Sequence, residues 1–348
     1  MRFSLCSRRY KIPSVKQRLL LDVHNLQTHF STKNGVNRAV DGVSFSLRRG
    51  ESIGIVGESG CGKSLTALSV MNLLPRPNCH IVGGSIVYSP ESGSPADIAT
   101  LDPDGRAMRS VRGKQIAMVF QDPMASLNPI VPIGRQISEA LRVHDGIGRK
   151  EAIERAIELL ETVGIGAPRQ RVGEYPHEMS GGMRQRVMIA MAISCKPAIL
   201  IADEPTTSLD VTLEAQIIDL IKRLRAETGM ALAIITHDLG VIAELADRTI
   251  VMYMGAVVES GNSVEVFDRP AHPYTQGLLS SVPRIGRRTR ISPIAGTTPD
   301  PFYLPKGCLF APRCPHAMGV CRETPPPVFK VSDDRSAACW LLNPDARA

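Results

Sequence analysis

Short apolar runs alternate with amphipathic stretches along most of the chain, and the hydrophobic period changes from two to about 3.6 as one gives way to the other. The runs at Ser52–Val56 and at 116–120, 198–202, 231–236 and 249–253 predict strands. Residues 19–30 and 39–47 alternate apolar with polar positions, which predicts antiparallel β structure at an edge. Helical spacing marks 63–73, 149–163, 181–194 and 213–227. In the second of these, Ile153, Ile157, Leu160 and Val163 recur on one side, the signature of a core-facing stripe. Strands that alternate with helices define an α/β sheet protein.

Two departures from this rhythm divide the chain. From Asp122 to Ser180 the strand signal disappears, and proline, glycine and helical patterns predict a mostly helical insertion. Beyond about Pro270 the chain is rich in proline with weak periodicity, which predicts an irregular appendage. The expected organisation is an extension at 1–18, a main domain at 19–265 with its helical part near 122–180, and a tail at 266–348. There is no internal repeat, so whatever site the core carries is present once.

Composition narrows the classes. No stretch reaches the roughly eighteen apolar residues of a membrane-spanning helix; the nearest, 187–202, is broken by Ser194, Lys196 and Pro197. The first eighteen residues are basic but contain no continuous apolar segment of the signal-peptide kind. Aromatic residues are 4% of the chain, with Trp340 the single tryptophan, which argues against a base-stacking surface for single-stranded nucleic acid. The net charge of +7 suits anionic partners but also an ordinary solvated surface.

The chemistry begins after the strand Ser52–Val56. Gly57, Glu58, Ser59, Gly60, Cys61, Gly62, Lys63 and Ser64 fit the pattern G-x-x-x-x-G-K-[ST] between a strand and a helix. Glycines let the backbone wrap closely enough for successive N–H groups to face a phosphate, and the following helix aims its positive end at the same anion. Lys63 is placed to neutralise the β- and γ-phosphates and Ser64 to ligate Mg²⁺. Further on, the apolar run 198–202 ends in Asp203 and Glu204. Asp203 suits a magnesium ligand, while Glu204, one residue later and so aimed differently, suits a general base that polarises the attacking water.

The order of motifs resembles the nucleotide-binding subunit of the ABC ATPases. Ser180-Gly181-Gly182, within Met179–Met183, resembles the family signature LSGGQ with two positions changed. Gln121 matches the Q-loop, Ser208-Leu209-Asp210 the D-loop, His237 the switch histidine, and Phe30 stands where an adenine-stacking aromatic falls. The resemblance implies a P-loop NTPase fold with a RecA-like core, an antiparallel β subdomain and a helical subdomain. It implies ATP and Mg²⁺ as ligands and a head-to-tail pair, in which Ser180, Gly181 and Gly182 serve the γ-phosphate held by a partner cassette. It further implies that His237 bonds the γ-phosphate and orients the water with Glu204, that Gln121 touches Mg²⁺ or the water, and that Asp210 organises the interface. Met183 replaces the usual glutamine, which leaves the backbone phosphate contacts intact.

The tail extends the resemblance. His272-Pro273-Tyr274-Thr275-Gln276 and the later Gly307-Cys308, Cys314-Pro315 and Cys321 are similar to the C-terminal extension of the oligopeptide/dipeptide/nickel importer group, above all its dipeptide-importer ATP-binding subunits. That likeness implies two transmembrane permease subunits, a distinct second cassette that makes the ATPase pair a heterodimer, and an extracytoplasmic peptide-binding protein. It places the chain peripherally on the cytoplasmic face of the inner membrane. Nickel and antimicrobial-peptide import remain open beside dipeptide import. A soluble ABC ATPase acting on ribosomes or DNA is disfavoured, because such relatives carry two cassettes or long insertions within the site. The spacings C-x5-C, C-x6-C and C-x17-C contain no short zinc knuckle, and four thiols in a weakly periodic segment leave iron–sulfur, zinc and free buried thiols as readings. The family implies a [4Fe–4S] cluster on Cys308, Cys314, Cys321 and Cys339.

Overall fold

The computed structural model describes residues 18–207, 209–281 and 294–344, so most of the expected N-terminal extension and Ser208 of the D-loop lie outside the described residues. Twelve strands are present among them: β1 (Leu19–Thr32), β2 (Gly35–Arg48), β3 (Ser52–Val56), β4 (Cys79–Tyr88), β5 (Ala96–Asp97), β6 (Ile116–Val119), β7 (Ile199–Asp203), β8 (Ala231–Ile235), β9 (Arg248–Tyr253), β10 (Ala256–Asn262), β11 (Phe329–Ser332) and β12 (Arg335–Ala337). They form two sheets. One has the order β2-β1-β4-β5 and is antiparallel throughout; the other has the order β11-β12-β10-β9-β3-β8-β7-β6. In the large sheet β6, β7, β8, β3 and β9 run parallel, and β10, β12 and β11 follow antiparallel at one side.

The parallel strands are buried on both faces, as strands covered by two layers must be. Alternation within them assigns each residue to a core. Ile199 and Ile201 face a core shared with Leu21, Leu26, Val43 and Leu47 of the antiparallel sheet and with the helix Lys63–Val70. Leu200 and Ala202 face the other core, filled by the helices Ile133–Asp145, Arg149–Thr162, Gly181–Ile193 and Val211–Thr228. Residues 122–180 carry helices and no strand.

The expected α/β architecture holds, with differences at element ends. The helix after the phosphate loop stops at Val70 rather than continuing to 73, because Asn72 takes a left-handed φ of 49° that a helix cannot contain. No strand is expected at β4, where Gly83 and Gly84 interrupt the apolar run, yet it pairs through its backbone with β1. The tail has more regular structure than its weak periodicity predicts. The helix Pro273–Ser280 is capped by His272, and β12 pairs with β10 to join the tail to the main sheet. A buried ion pair fastens this junction. Glu259 of β10 is fully buried and accepts hydrogen bonds from Arg335 of β12 at 2.6 and 3.1 Å and from the His272 amide at 2.9 Å.

Candidate nucleotide site

Four parallel neighbours, β3, β8, β7 and β6, all end at the same edge of the large sheet, so the segments that follow them converge there. β3 runs into the phosphate loop, β7 into Asp203 and Glu204, β8 into His237, and β6 into Gln121.

The loop is held tightly on two sides. Gly57 has φ 158°, and a Cβ there would stand 2.2 Å from the Met252 carbonyl of β9; Gly62 has φ 100°, and a Cβ would stand 2.2 Å from the Ala39 carbonyl of β2. Only glycine satisfies Gly62, in both its left-handed backbone and its packing. Ser59 and Gly60 form the exposed tip of the loop. Lys63 is 5% exposed, and its Nζ donates to the carbonyls of Gly57 at 2.8 Å and Glu58 at 3.0 Å. The Cys61 thiol is buried beneath the loop, and burial raises its pKa despite the nearby Lys63, which keeps it an unreactive packing group.

Ser64 Oγ donates to Asp203 Oδ1 at 3.0 Å. Burial raises the Asp203 pKa; the Ser64 hydrogen bond and the Lys63 charge oppose that rise, and the Glu204 charge adds to it. A hydroxyl and a partly desolvated carboxylate side by side, beside a phosphate loop, are a donor set that fits a hard divalent cation such as Mg²⁺.

Glu204 is the centre of the second half. Its φ of 46° lies in the left-handed region, and its N–H donates to the Ile235 carbonyl at 2.7 Å, tying the end of β7 to the end of β8. Gln121 Nε2 donates to Glu204 Oε2 at 3.0 Å, and Thr207 Oγ1 donates to the same oxygen at 2.9 Å. His237 Nδ1 stands 3.2 Å from Glu204 Oε1, while the His237 side chain remains 64% exposed. Sequence reasoning missed Thr207, whose type and place carry no distinct signal.

The remaining expected site residues lie apart from this hydrogen-bonded group. Phe30 is half-buried on β1 opposite Asn37, which precedes by two residues the Ala39 whose carbonyl touches Gly62. Ser180 caps the helix Gly181–Ile193 by accepting from the Met183 amide; Gly181 is exposed with open space at its Cβ, and Gly182 packs on Leu213. Asp210 caps the helix Val211–Thr228 through the Leu213 amide at 2.9 Å.

The four tail cysteines gather in one region. Cys308 donates its N–H to the Cys321 carbonyl at 2.8 Å, and Cys339 lies within electrostatic reach of Cys308, Cys314 and Cys321. Burial pushes Cys339 up to about 11 and raises Cys308 and Cys314 as well, so these thiols stay protonated in this arrangement. Among the described residues no group of three or more His, Cys, Asp or Glu side chains is disposed to hold a metal ion. The expected [4Fe–4S] cluster on Cys308, Cys314, Cys321 and Cys339 is therefore not supported as the thiols stand: they are neighbours, but among the described residues they form no ligand cage.

A phosphate loop, a carboxylate pair and a helix-capping Ser-Gly-Gly turn on this two-sheet frame define a P-loop ATPase of the ABC class. Residues 40–207 match the ABC transporter family model, and residues 258–321 match that of the oligopeptide/dipeptide transporter C-terminal region. The chain is 51% identical over 330 residues to the probable peptide ABC transporter ATP-binding protein y4tR of Sinorhizobium fredii, covering 94% of this chain and 96% of that one. It is 47% identical to the dipeptide transport ATP-binding protein DppD of Bacillus subtilis, covering 92% of this chain and 94% of that one. Among solved structures, the ATP-binding cassette MJ0796 in a dimeric post-hydrolysis state with ADP and Pi superposes with a TM-score of 0.62 at 26% identity, covering 70% of this chain and 99% of that one. The chain belongs to the ABC transporter ATP-binding proteins of the peptide-importer type, and it is an ATP hydrolase. No helix among the described residues is long and apolar enough to cross a membrane.

Proposed function

We propose that the chain energises import of dipeptides or oligopeptides across the inner membrane. It does so from the cytoplasmic face, as one cassette of a head-to-tail ATPase heterodimer seated on two permease subunits, with an extracytoplasmic peptide-binding protein delivering substrate. The observation that carries the catalytic part is the Glu204 carboxylate, held by Gln121, Thr207 and His237 one residue from the Ser64–Asp203 pair. In this reading Lys63 and the loop amides bind the phosphates, and Ser64 and Asp203 hold Mg²⁺ with Gln121 nearby. Mg²⁺ supplies positive charge that offsets the charge building on the phosphate oxygens. Glu204 takes a proton from the attacking water, and His237 orients that water against the γ-phosphate. Phe30 stacks on adenine from the antiparallel sheet. Ser180, Gly181 and Gly182 present helix N-terminal amides to the nucleotide of the partner cassette, with Asp210 beside the interface.

The tail supports the peptide assignment, since its match is to the transporter C-terminal region found with peptide importers. Reconstitution with the co-purifying membrane subunits tests this reading: ATP turnover should rise with binding protein loaded with dipeptide, and a rise with nickel alone would refute the peptide assignment. A finer part of the reading makes Cys308, Cys314, Cys321 and Cys339 the ligands of a [4Fe–4S] cluster, on the support of their mutual proximity. Binding would require the sulfurs to close in and lose their protons. Anaerobic purification should then yield about four iron and four sulfide per chain; a colourless, iron-free protein would reject the cluster.

A further inference from the structure

The phosphate loop is gripped from outside the cassette. Arg313, one residue before Cys314, sends Nη1 to Glu58 Oε2 at 2.6 Å and Nη2 to Glu58 Oε1 at 2.9 Å, a two-pronged pair across 255 residues of sequence. The Arg313 side chain is 5% exposed, and its guanidinium lies 5.8 Å from the Tyr253 ring centroid and 5.9 Å from that of Phe310. Arg313 Nε also donates to the Ala295 carbonyl at 3.2 Å, so the fork is aimed by its own segment of the tail. A second tail residue reaches the same place: the fully buried Tyr274 accepts the Glu58 N–H at its hydroxyl, at 2.8 Å. Tyr274 is fixed in turn by ring contacts with Tyr253 and Phe310, at centroid distances of 4.6 and 5.4 Å.

Every polar group of Glu58 is thus engaged. Its carboxylate is held by Arg313, its amide by Tyr274, and its carbonyl by the Lys63 ammonium at 3.0 Å. The last of these links the tail to the lysine that meets the nucleotide. A carboxylate within a phosphate-binding loop is also an electrostatic liability, because it repels the polyphosphate; a buried, bidentate guanidinium cancels that charge at its source.

We propose that Arg313 and Tyr274 are positioning residues for the phosphate loop, through which the C-terminal segment sets the affinity of this cassette for ATP. This rests on the reading that Lys63 and its loop bind the nucleotide. Neither residue touches ATP: Arg313 neutralises and anchors the Glu58 side chain, and Tyr274 anchors the Glu58 backbone. The arrangement makes the tail a part of the nucleotide site rather than an appendage to it.

The test compares nucleotide affinity and turnover in the full chain carrying Arg313→Met, Arg313→Lys, Tyr274→Phe, Glu58→Gln, or Glu58→Gln with Arg313→Met. Arg313→Met should raise Kd and KM for ATP about tenfold while kcat at saturating ATP changes little, because the residue acts on binding and not on the attacking water. Arg313→Lys should recover part of the loss, since it restores the charge without the fork. In the double variant, affinity should return toward that of Glu58→Gln alone, because the uncancelled charge is gone. Tyr274→Phe, which keeps the ring and removes only the acceptor, should weaken ATP binding in a protein that still folds. Unchanged KM in Arg313→Met and Tyr274→Phe would overturn the proposal, as would a penalty for Arg313→Met undiminished in the Glu58→Gln background. Failure of the unaltered chain to bind ATP would instead defeat the reading of the loop itself.

Discussion

At the scale of single residues, the site places two neighbouring carboxylates in different environments. Asp203 ends β7 with its charge partly desolvated and a serine hydroxyl on it, whereas Glu204 turns through a left-handed φ into a polar cluster of Gln121, Thr207 and His237. That division suits one for a cation and the other for a proton. Glu204→Gln keeps the size and the hydrogen-bonding reach of the side chain but removes its basicity. It should lower kcat by about 10²–10⁴-fold while ATP binding stays within a few-fold of the unaltered protein. Turnover and nucleotide affinity measured on the same preparation decide this, and full turnover in the variant would mean that another group activates the water. The carboxylate pair and the loop could be found in the sequence because their spacing is a property of the local chain. Thr207 and Arg313 could not, because what makes them functional is a contact with another part of the molecule: Thr207 meets the turned Glu204 side chain, and Arg313 meets a residue 255 positions away.

At the scale of elements, the junction of β10 and β12 with the helix Pro273–Ser280 depends on a charge pair buried from solvent. Arg335→Met would leave Glu259 buried without its cation and should destabilise the fold by about 3–5 kcal/mol. Equilibrium denaturation of the two proteins side by side checks this, with a fall in midpoint expected. The cap of the same helix titrates. His272 is 1% exposed and accepts the Tyr274 N–H at Nδ1 at 3.0 Å, so the neutral ring is the form that fits, and burial lowers its pKa to about 4. Because the folded pKa is depressed, the unfolded chain binds the extra proton first. Stability is therefore full above about pH 6.5 and falls as the pH drops toward 4, by about 3 kcal/mol in all. His272→Asn, which keeps a capping acceptor without a titrating group, should flatten that stretch of the pH–stability curve. The helix was hidden in the sequence by its proline and its short length, and β11 and β12 by the lack of a clear alternation; each is stabilised by what it packs on rather than by its own pattern.

At the scale of the whole molecule, the proposed head-to-tail pair assigns this chain the parts of two half-sites. The phosphate loop and Glu204 converge on one edge of the large sheet, while Ser180 and Gly181 stand exposed at a separate helix start with their hydrogen bonds made locally. In the proposed head-to-tail pair, Gly181→Asp would set a negative charge against the γ-phosphate of the partner's nucleotide. ATP binding at Lys63 should persist, and hydrolysis by the assembled pair should fall at least about tenfold. Loss of nucleotide binding by the altered chain alone would show that the turn serves its own site.

The sequence by itself determined the α/β class, the phosphate loop with its lysine, the carboxylate pair and the family, because each is written in local spacing, hydrophobic period or residue type. Tertiary structure alone decided which of those residues meet. Parallel neighbours β3, β8, β7 and β6 deliver Lys63, His237, Glu204 and Gln121 to one edge. The folding of the tail back onto the cassette brings Tyr274 and Arg313 to Glu58. Long-range hydrogen bonds and buried charge pairs depend on geometry summed over the whole chain, and a local pattern of residues does not contain it.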